Sequence, residues 1–436
     1  MSRPYVGRSG WEGNLRSFRF IHTADIHLDS PLRGLSRHEG AAARRIRSAT
    51  RAALEGLIGE AIEQQVAFVV IAGDLYDGTW KDFHTGLFFA QQMGRLAQAR
   101  IGAFVLHGNH DAESQITRRL QLPPNVQVFP HRKPATFLLE EPQVALHGQS
   151  FPEQAVSENL VPLYPEPRSG YFNIGVLHTG LGGMGGHQNY APCSLDELIA
   201  KGYQYWALGH VHQGQLLHEH PHVVFPGNLQ GRHVRETGAK GARLVTVEDG
   251  QIVDLSTVHT DVVRWARLTV CAEAYRTVEE VLQSIREALT RAVASDADGR
   301  LLACRIEITG QTLLHGTLMG ATEQLQAEIQ AAALGLGEAV AWIEKIVLAT
   351  TPVPVAGGAD TDNAHGALRS LFDVAPEDPE LIEQLNARLG EFLRRLPADL
   401  RAEVDDPILS AALGGDYRAL LEYSREEWLV RLQELR

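Results

Sequence analysis

The chain has 436 residues, of which 44% are hydrophobic and 21% charged, and its formal net charge is −13. A single hydrophobic core rarely serves more than about 250–300 residues, so this length predicts at least two domains. The composition is close to the globular average, which argues against a collagenous, fibrous or mostly disordered chain. The negative charge argues against a protein that coats nucleic acid by bulk electrostatics.

The sequence shows no secretory signal and no uninterrupted apolar run of about 18 residues, so we expect a cytoplasmic protein without membrane attachment. Its three cysteines are widely separated and form no C-x-x-C pair, which argues against a disulfide framework or a thiolate zinc site. Residues 1–17 are rich in glycine and lack periodicity, and they are predicted to be a disordered extension.

From Phe18 onwards, apolar runs alternate with helical patterns. Strands are predicted at 18–22, 66–72 and 103–107, and helices at 41–65 and 83–99. This β-α-β-α-β alternation is typical of an α/β architecture. Later apolar runs lie closer together and predict strands at 126–129, 135–139, 144–147, 172–178, 205–208, 223–225, 244–247 and 252–255. We therefore predict one large domain, 18–260, whose second half is richer in sheet.

A second β-α-β-α-β pattern follows at 261–351 and predicts a small α/β domain. Residues 352–366 contain Pro, Gly and Asp without periodicity, so they are the best candidate for a linker. The remainder, 367–436, is helical in pattern. The expected domain organisation is therefore an extension (1–17), a large domain (18–260), a small domain (261–351), a linker (352–366) and a helical segment (367–436).

The C-terminal segment is acidic and carries leucine stripes. Residues 361–436 contain nine Arg, sixteen Asp or Glu and no Lys. Leucines such as Leu381, Leu385 and Leu389 recur near helical spacing. Two interpretations stay open: the stripes pack on their own domain, or the amphipathic helices dock onto a partner protein.

Five short segments place similar side chains after predicted strands. They are Asp25-Ile-His27, Gly73-Asp74-Leu-Tyr-Asp77, Gly108-Asn109-His110-Asp111, His178 and Gly209-His210-Val-His212. Any one of them is more often a helix cap or a turn, but in an open α/β sheet all five would gather at the carboxyl ends of the strands. Carboxylate, amide and imidazole donors without thiolate suit manganese, iron or zinc. Seven candidate ligands exceed one coordination shell, so two metals are favoured over one.

The ordered series D-x-H, G-D, G-N-H-D, H and G-H-x-H resembles that of the calcineurin-like metallophosphoesterases. Within them, HTADIHLDSP, ALGHVH and PGNLQGRHVRETGAKG resemble the branch of DNA-repair nucleases that includes SbcD and YhaO. The resemblance is strong over 18–260 and weaker over the next unit. It implies a four-layer α-β-β-α sandwich, a smaller β-α-β-α-β capping domain that binds substrate or DNA, and a helical C-terminal tail.

The resemblance also implies a role for each motif residue. Asp25, His27 and His212 would hold one metal, Asn109, His178 and His210 the other, and Asp74 would bridge them. The two divalent ions would be manganese in the first instance, with iron or zinc as alternatives. A hydroxide shared by the metals would attack the phosphate, His110 would protonate the leaving group, and Asp77 would orient His110.

Two further segments could contact a substrate. Arg232, His233 and Arg235 follow a Pro-Gly-Asn turn and could bind phosphate oxygens, although solvated surface charge explains them equally well. His187 lies in a glycine-rich loop that could reach over the substrate, or the loop could be a plain connector.

These observations predict a two-metal phosphodiesterase acting on DNA, as an exonuclease or endonuclease subunit in DNA repair. Two alternatives stay open: a phosphodiesterase of a small nucleotide, and a non-catalytic scaffold that binds an ATPase. The chain contains no G-x-x-x-x-G-K-[ST] motif, so any ATP dependence must come from another chain. The resemblance implies a coiled-coil ATPase as that partner, and a homodimer.

Overall fold

The structure is a computed structural model that describes residues 17–30, 40–77, 83–113, 121–182, 190–337, 339–353, 370–395, 407–422 and 424–425. Almost all of the predicted N-terminal extension, His187 and most of the predicted linker lie outside the described residues. The chain divides into two compact units, one containing 1–267, 289–305 and 333–344, and the other containing 268–288, 306–332 and 345–436.

The described strands and helices follow the predicted alternation. The strands are β1 (Phe18–Thr23), β2 (Phe68–Ala72), β3 (Gly102–Leu106), β4 (Val126–Val128), β5 (Ala135–Leu139), β6 (Val144–Gly148), β7 (Phe172–His178), β8 (Tyr205–Gly209), β9 (Gln215–Glu219), β10 (His222–Phe225), β11 (Gly241–Glu248), β12 (Gln251–His259), β13 (Val263–Cys271), β14 (Leu301–Thr312) and β15 (Ala341–Pro352). The helices include α1 (Ala41–Arg47), α2 (Ala49–Glu63), α3 (Phe83–Gln98), α4 (Asn109–Glu113), α5 (Leu195–Ala200), α6 (Val278–Ala292), α7 (His315–Gly320), α8 (Thr322–Gly335), α9 (Pro379–Arg395) and α10 (Pro407–Gly414).

The first unit contains two six-stranded mixed sheets. In one, the order is β12-β11-β1-β2-β3-β4, with β1 to β4 parallel and β11 antiparallel to β1. In the other, the order is β5-β6-β7-β8-β10-β9, with β6, β7, β8 and β10 parallel. The predicted α/β fold class is confirmed.

Successive side chains of a strand point to opposite faces of a sheet, so each strand contributes to two layers of the core. Phe20 and Phe68 point into the space between the two sheets, where they meet Phe172 and Tyr205 of the second sheet. Their neighbours in the sequence, such as Ile21, point to the opposite face, where helices α2 and α3 cover the first sheet.

The outer face of the second sheet is covered in part by a short helix, α5. Trp206 and Tyr203 pack there against Leu198 of α5 and against Tyr164. The six-residue helix and the segment 151–164, which contains a short 3₁₀ helix at Val161–Leu163, both contribute to this layer.

The predicted helix 41–65 is divided at Ser48, where the backbone (φ −96°, ψ 3°) leaves the helical region between α1 and α2. β13, β14 and β15 form a separate three-stranded sheet, with β14 in the centre. The second unit contains α7, most of α6 and α8, and the tail helices α9 and α10, so the predicted helical tail is confirmed. Among the described residues, no helix is both long enough and apolar enough to span a membrane.

Candidate metal centre

The five predicted segments meet at one edge of the first unit. β1, β2 and β3 end just before Asp25, Asp74 and Asn109, while β7 ends at His178 and β8 just before His210. The backbone continues to pair beyond the strands: Asp25 N donates to Gly73 O at 3.0 Å, and His27 N donates to Asp74 O at 3.0 Å. These loops are therefore held in fixed register at the carboxyl ends of parallel strands.

The ligand-bearing loops have strained backbones. Asp25, His27, Asp74 and His210 have φ values of 50°, 45°, 52° and 102°, in the left-handed region that side chains other than glycine rarely adopt. Each such residue costs about 1–3 kcal/mol, and such strain persists only where the surrounding structure enforces it. Four of the eleven described residues other than glycine with a positive φ therefore belong to the convergent ligand set.

Two motif glycines leave room for these side chains. A Cβ atom at Gly73 would lie 2.3 Å from His178 Nδ1, and a Cβ atom at Gly108 would lie 2.4 Å from Asp74 Oδ1. Neither neighbour is the mobile end of a long side chain. A side chain at either position would therefore displace Asp74 or His178.

Asp25, His27 and His212 form the first group of potential ligands, with one donor atom from each within 4.8 Å of the others. His27 Nε2 and His212 Nε2 are 3.2 Å apart, and His212 Nε2 lies 3.8 Å from Asp25 Oδ1. The backbone N–H of His210 donates to both oxygens of Asp25, at 3.1 and 3.0 Å, and fixes that carboxylate.

Asp74, His178 and His210 form the second group, again within 4.8 Å. His178 Nε2 lies 3.4 Å from Asp74 Oδ2 and 3.0 Å from Asn109 Oδ1. His178 Nδ1 is 3.0 Å from the carbonyl oxygen of Ala72, which can only accept. The Nδ1 proton therefore points to Ala72, and Nε2 faces the other two ligand atoms.

His110 lies beside both groups. Its Nδ1 is 3.1 Å from Asp77 Oδ1, and its ring centre is 5.0 Å from that of His27. Ser30 donates its hydroxyl to Asp77 Oδ2 at 2.6 Å, which fixes the carboxylate. Asp77 therefore orients His110 while leaving its opposite nitrogen available. His110 also forms a close trio with His27 and Asp74, so it borders the ligand cluster directly.

Burial and charge set the protonation of these groups. Burial raises the pKa of Asp25 to about 7 and lowers the pKa of His27 to about 3. Burial also opposes protonation of His178 and His110, but Asp74 raises the pKa of His178, and Asp77 that of His110, to about 9. Burial alone would raise the pKa of Asp74, but His178 holds that pKa well below its usual range.

The donor set fits divalent cations. When the only ring proton of His178 is on Nδ1, the lone pair of its Nε2 faces two acceptor oxygens, Asn109 Oδ1 and Asp74 Oδ2. These lone pairs repel one another. A second proton on His178 relieves this conflict, and a cation would take the place of that proton. Nitrogen and oxygen donors without sulfur suit manganese, iron or zinc, and Asp74 lies between the two groups.

Two family models match the chain. Residues 18–214 match the calcineurin-like phosphoesterases, and residues 265–351 match the middle domain of the metallophosphoesterase YhaO. An uncharacterized metallophosphoesterase, YhaO, from Bacillus subtilis (strain 168) is 35% identical over 282 residues, which cover 64% of this chain and 69% of that protein. The chain belongs to the calcineurin-like metallophosphoesterases. The predicted family is thereby confirmed, whereas the DNA-repair branch stays a prediction.

Solved structures similar to this metallophosphoesterase include TT1561 of Thermus thermophilus, at 13% identity and a TM-score of 0.33, covering 56% of this chain and 99% of that one. A dimetal phosphatase from Danio rerio is similar at 9% identity and a TM-score of 0.32, covering 53% of this chain and 93% of that one.

Two acidic residues of this metallophosphoesterase have roles that the sequence left open or missed. Asp111 accepts backbone N–H groups of Leu75, Tyr76 and Gly108 at 2.9–3.1 Å, which ties the loop of Asp74 to the loop of Asn109. Glu236 Oε1 lies 2.7 Å from His212 Nδ1. The one available signal for Glu236 was its position in the segment that also carries Arg232.

The expected phosphate contacts occupy different environments. Arg232 is largely buried, and its guanidinium donates to Glu236 at 3.1 Å, so the interpretation of Arg232 as solvated surface charge is wrong. His233 is 44% exposed, with Nε2 3.6 Å from Glu236 Oε1. Arg235 is exposed. The guanidinium of Arg232 thus lies beside His212, with Nη2 3.5 Å from His212 Nδ1, whereas the side chains of His233 and Arg235 are accessible to solvent.

Proposed function

We propose that this metallophosphoesterase is a two-metal phosphodiesterase that acts on DNA. The observation that carries the proposal is the position of Asp74, which belongs to the second group of ligands and whose Oδ2 lies 3.9 Å from His27 Nε2 of the first group, beside the His110–Asp77 pair. Two divalent cations bound there would act as Lewis acids on the phosphate and lower the pKa of the attacking water. Manganese is the metal that we propose first.

The protein's own residues would supply orientation and a proton. Asp77 accepts the Nδ1 proton of His110, so the opposite nitrogen can donate a proton to the leaving oxygen of the ester. The backbone N–H of His110 donates to Asp74 Oδ1 at 3.0 Å, so the same residue also fixes the shared carboxylate. The proposed acid, His110, is therefore connected directly to the ligand cluster through Asp74.

Access to the site supports a large substrate. The side chain of His110 is 36% exposed and that of His233 is 44% exposed, so solvent reaches both imidazoles. Exposed Arg235 adds a positive charge nearby in the sequence. Exposed positive charge of this kind suits the phosphates of a polymeric phosphodiester, and a small nucleotide is the rival substrate.

We propose that the C-terminal helices bind a partner, a coiled-coil ATPase. Leu371, Val374 and Phe392 are 63%, 62% and 59% exposed, and a cavity of about 380 Å³ is lined by Leu371, Leu381 and Leu421 among others. The segment 361–436 is acidic and free of Lys, which makes it a poor ligand for DNA but a suitable one for a protein.

The proposed activity is tested by incubating the manganese-loaded chain with linear duplex DNA, single-stranded DNA and bis-p-nitrophenyl phosphate. Hydrolysis of DNA together with the small diester supports a DNA phosphodiesterase. Hydrolysis of the small diester alone favours the nucleotide rival, and hydrolysis of neither supports the scaffold. The Asp74→Asn variant, purified in parallel, controls for contaminating nucleases because it should be inactive on every substrate.

A further inference from the structure

Glu236 stands directly behind His212 and is almost completely buried, at 7% exposure. Its Oε1 lies 2.7 Å from His212 Nδ1 and 3.1 Å from Arg232 Nη2. Its Oε2 accepts the backbone N–H of Arg232 at 2.7 Å and the side-chain amide of Asn228 at 3.0 Å. Three of these four partners can act only as donors, so they hold this side chain as a carboxylate and as an acceptor.

This arrangement selects one tautomer of His212. Because Glu236 can only accept, the proton of a neutral His212 ring must sit on Nδ1. The lone pair of Nε2 is then directed towards the cluster, 3.2 Å from His27 Nε2 and 3.8 Å from Asp25 Oδ1. Glu236 therefore fixes both the rotation of the ring and the nitrogen that can bind a metal.

The loop that carries Glu236 is itself pinned. Gln230 accepts the backbone N–H of Val262 at 2.8 Å and donates to Val263 O at 2.7 Å. The indole of Trp265 donates to Gly231 O at 2.9 Å. Because the loop is tied to the start of β13, Glu236 cannot move away from His212 without breaking several buried hydrogen bonds.

We propose that Glu236, held by Arg232 and Asn228, is a positioning residue that prepares His212 to bind one of the two metals. It would not touch the metal or the substrate. The proposal rests on the two-metal function and deepens it, since it assigns a residue outside the ligand motifs to one of the two metal sites.

Replacement of Glu236 by Gln preserves the shape but not the hydrogen bonds. If the amide NH₂ group replaces Oε1, it faces His212 Nδ1 and Arg232 Nη2. His212 Nδ1 must then accept a hydrogen bond, so the ring proton moves to Nε2 and blocks the nitrogen that would bind the metal. If the NH₂ group replaces Oε2, it meets the donors of Arg232 and Asn228 instead. Loss of such a partner behind a metal-binding histidine typically weakens metal affinity about 10- to 100-fold.

The test is a calorimetric titration of the metal-depleted full chain with Mn²⁺ alone, which measures the affinity of each site. We expect the Glu236→Gln variant to lose about 10- to 100-fold in affinity at one site while the other site keeps its wild-type affinity. The His212→Gln variant should weaken the same site more strongly. The matched control is Glu248→Gln, an exposed glutamate on β11, which should bind like the wild type.

Other titration results would overturn either the role of Glu236 or the two-metal function. Wild-type affinity at both sites in Glu236→Gln, or an equal loss at both, overturns the positioning role. Glu236→Asp keeps the charge but shortens the side chain, so it tests the same site-selective loss if Glu236→Gln does not fold. If the wild-type chain itself binds fewer than two Mn²⁺ ions, the proposed two-metal function fails, and the failure is independent of Glu236.

Discussion

Replacement of His110 by Gln should remove the proton donor while leaving both metal sites in place. The Nδ1 atom of His110 contacts Asp77 at 3.1 Å, and the assigned ligand set does not require His110. Although burial opposes protonation, Asp77 raises the pKa of His110 to about 9, so in the absence of metals His110 carries the proton to be donated at neutral pH. The variant therefore separates proton donation from metal binding.

The expected loss follows from the chemistry of the leaving group. General acid catalysis contributes about 10²- to 10⁴-fold, which corresponds to about 2.7–5.5 kcal/mol in the barrier. A DNA alkoxide leaving group needs the whole of this contribution. The p-nitrophenolate leaving group of bis-p-nitrophenyl phosphate is stable without a proton, so hydrolysis of that substrate should be reduced far less.

Asp77 supplies a second arm to this experiment because it acts through His110. The Asp77→Asn variant should lose about 10- to 100-fold on DNA. The double variant should lose no more than His110→Gln alone, since two residues that work as one unit are not additive. The assay compares kcat/KM on both substrates at a measured metal content. Equal losses on the two substrates, or additive losses in the double variant, would refute the general-acid role.

Three further predictions concern other parts of the chain. The Arg235→Ala variant should lower the salt dependence of DNA binding by about one unit of log slope, whereas Arg232→Ala should weaken Mn²⁺ binding instead, because Arg232 holds Glu236. Burial lowers the pKa of His22 to about 3 from 6.5, so below pH 6.5 only the unfolded chain gains this proton and stability falls towards pH 3. In urea unfolding from pH 7 to 4, the His22→Leu variant should therefore show a slope smaller by up to about 1.4 kcal/mol per pH unit, and an unchanged slope would contradict the burial of a neutral ring. Truncation after Pro354 should leave metal binding and phosphodiesterase activity intact while abolishing co-purification with the ATPase, and a truncated chain that still co-purifies would exclude the tail as the docking element.

The sequence could predict the ligands because metal sites in α/β folds follow strands. Asp25, Asp74 and His178 stand directly at strand ends, where the topology of a parallel sheet brings them together. Spacing also predicted α3 to within one residue. The short strand β9 was missed because its run, Gln215–Glu219, has only two strongly apolar residues.

Glu236 could not have been identified in the same way. It lies in a loop without periodicity, and its contact with His212 depends on hydrogen bonds from Gln230 and Trp265 that no local pattern encodes. Arg232 illustrates the same limit, because its sequence neighbours do not reveal that its guanidinium donates to Glu236. Side chains that act through other side chains need the tertiary structure.

The dependence of activity on the number of bound metals shows most directly whether this metallophosphoesterase works with two metals. The metal-depleted chain is titrated with Mn²⁺, and the hydrolysis of bis-p-nitrophenyl phosphate is measured alongside the metal content by mass spectrometry. We predict that activity rises only as the second ion binds, and that Asp74→Asn, which alters the carboxylate that lies between the two groups, neither holds two ions nor turns over. Full activity with one ion per chain, or in excess chelator, would contradict a two-metal phosphodiesterase.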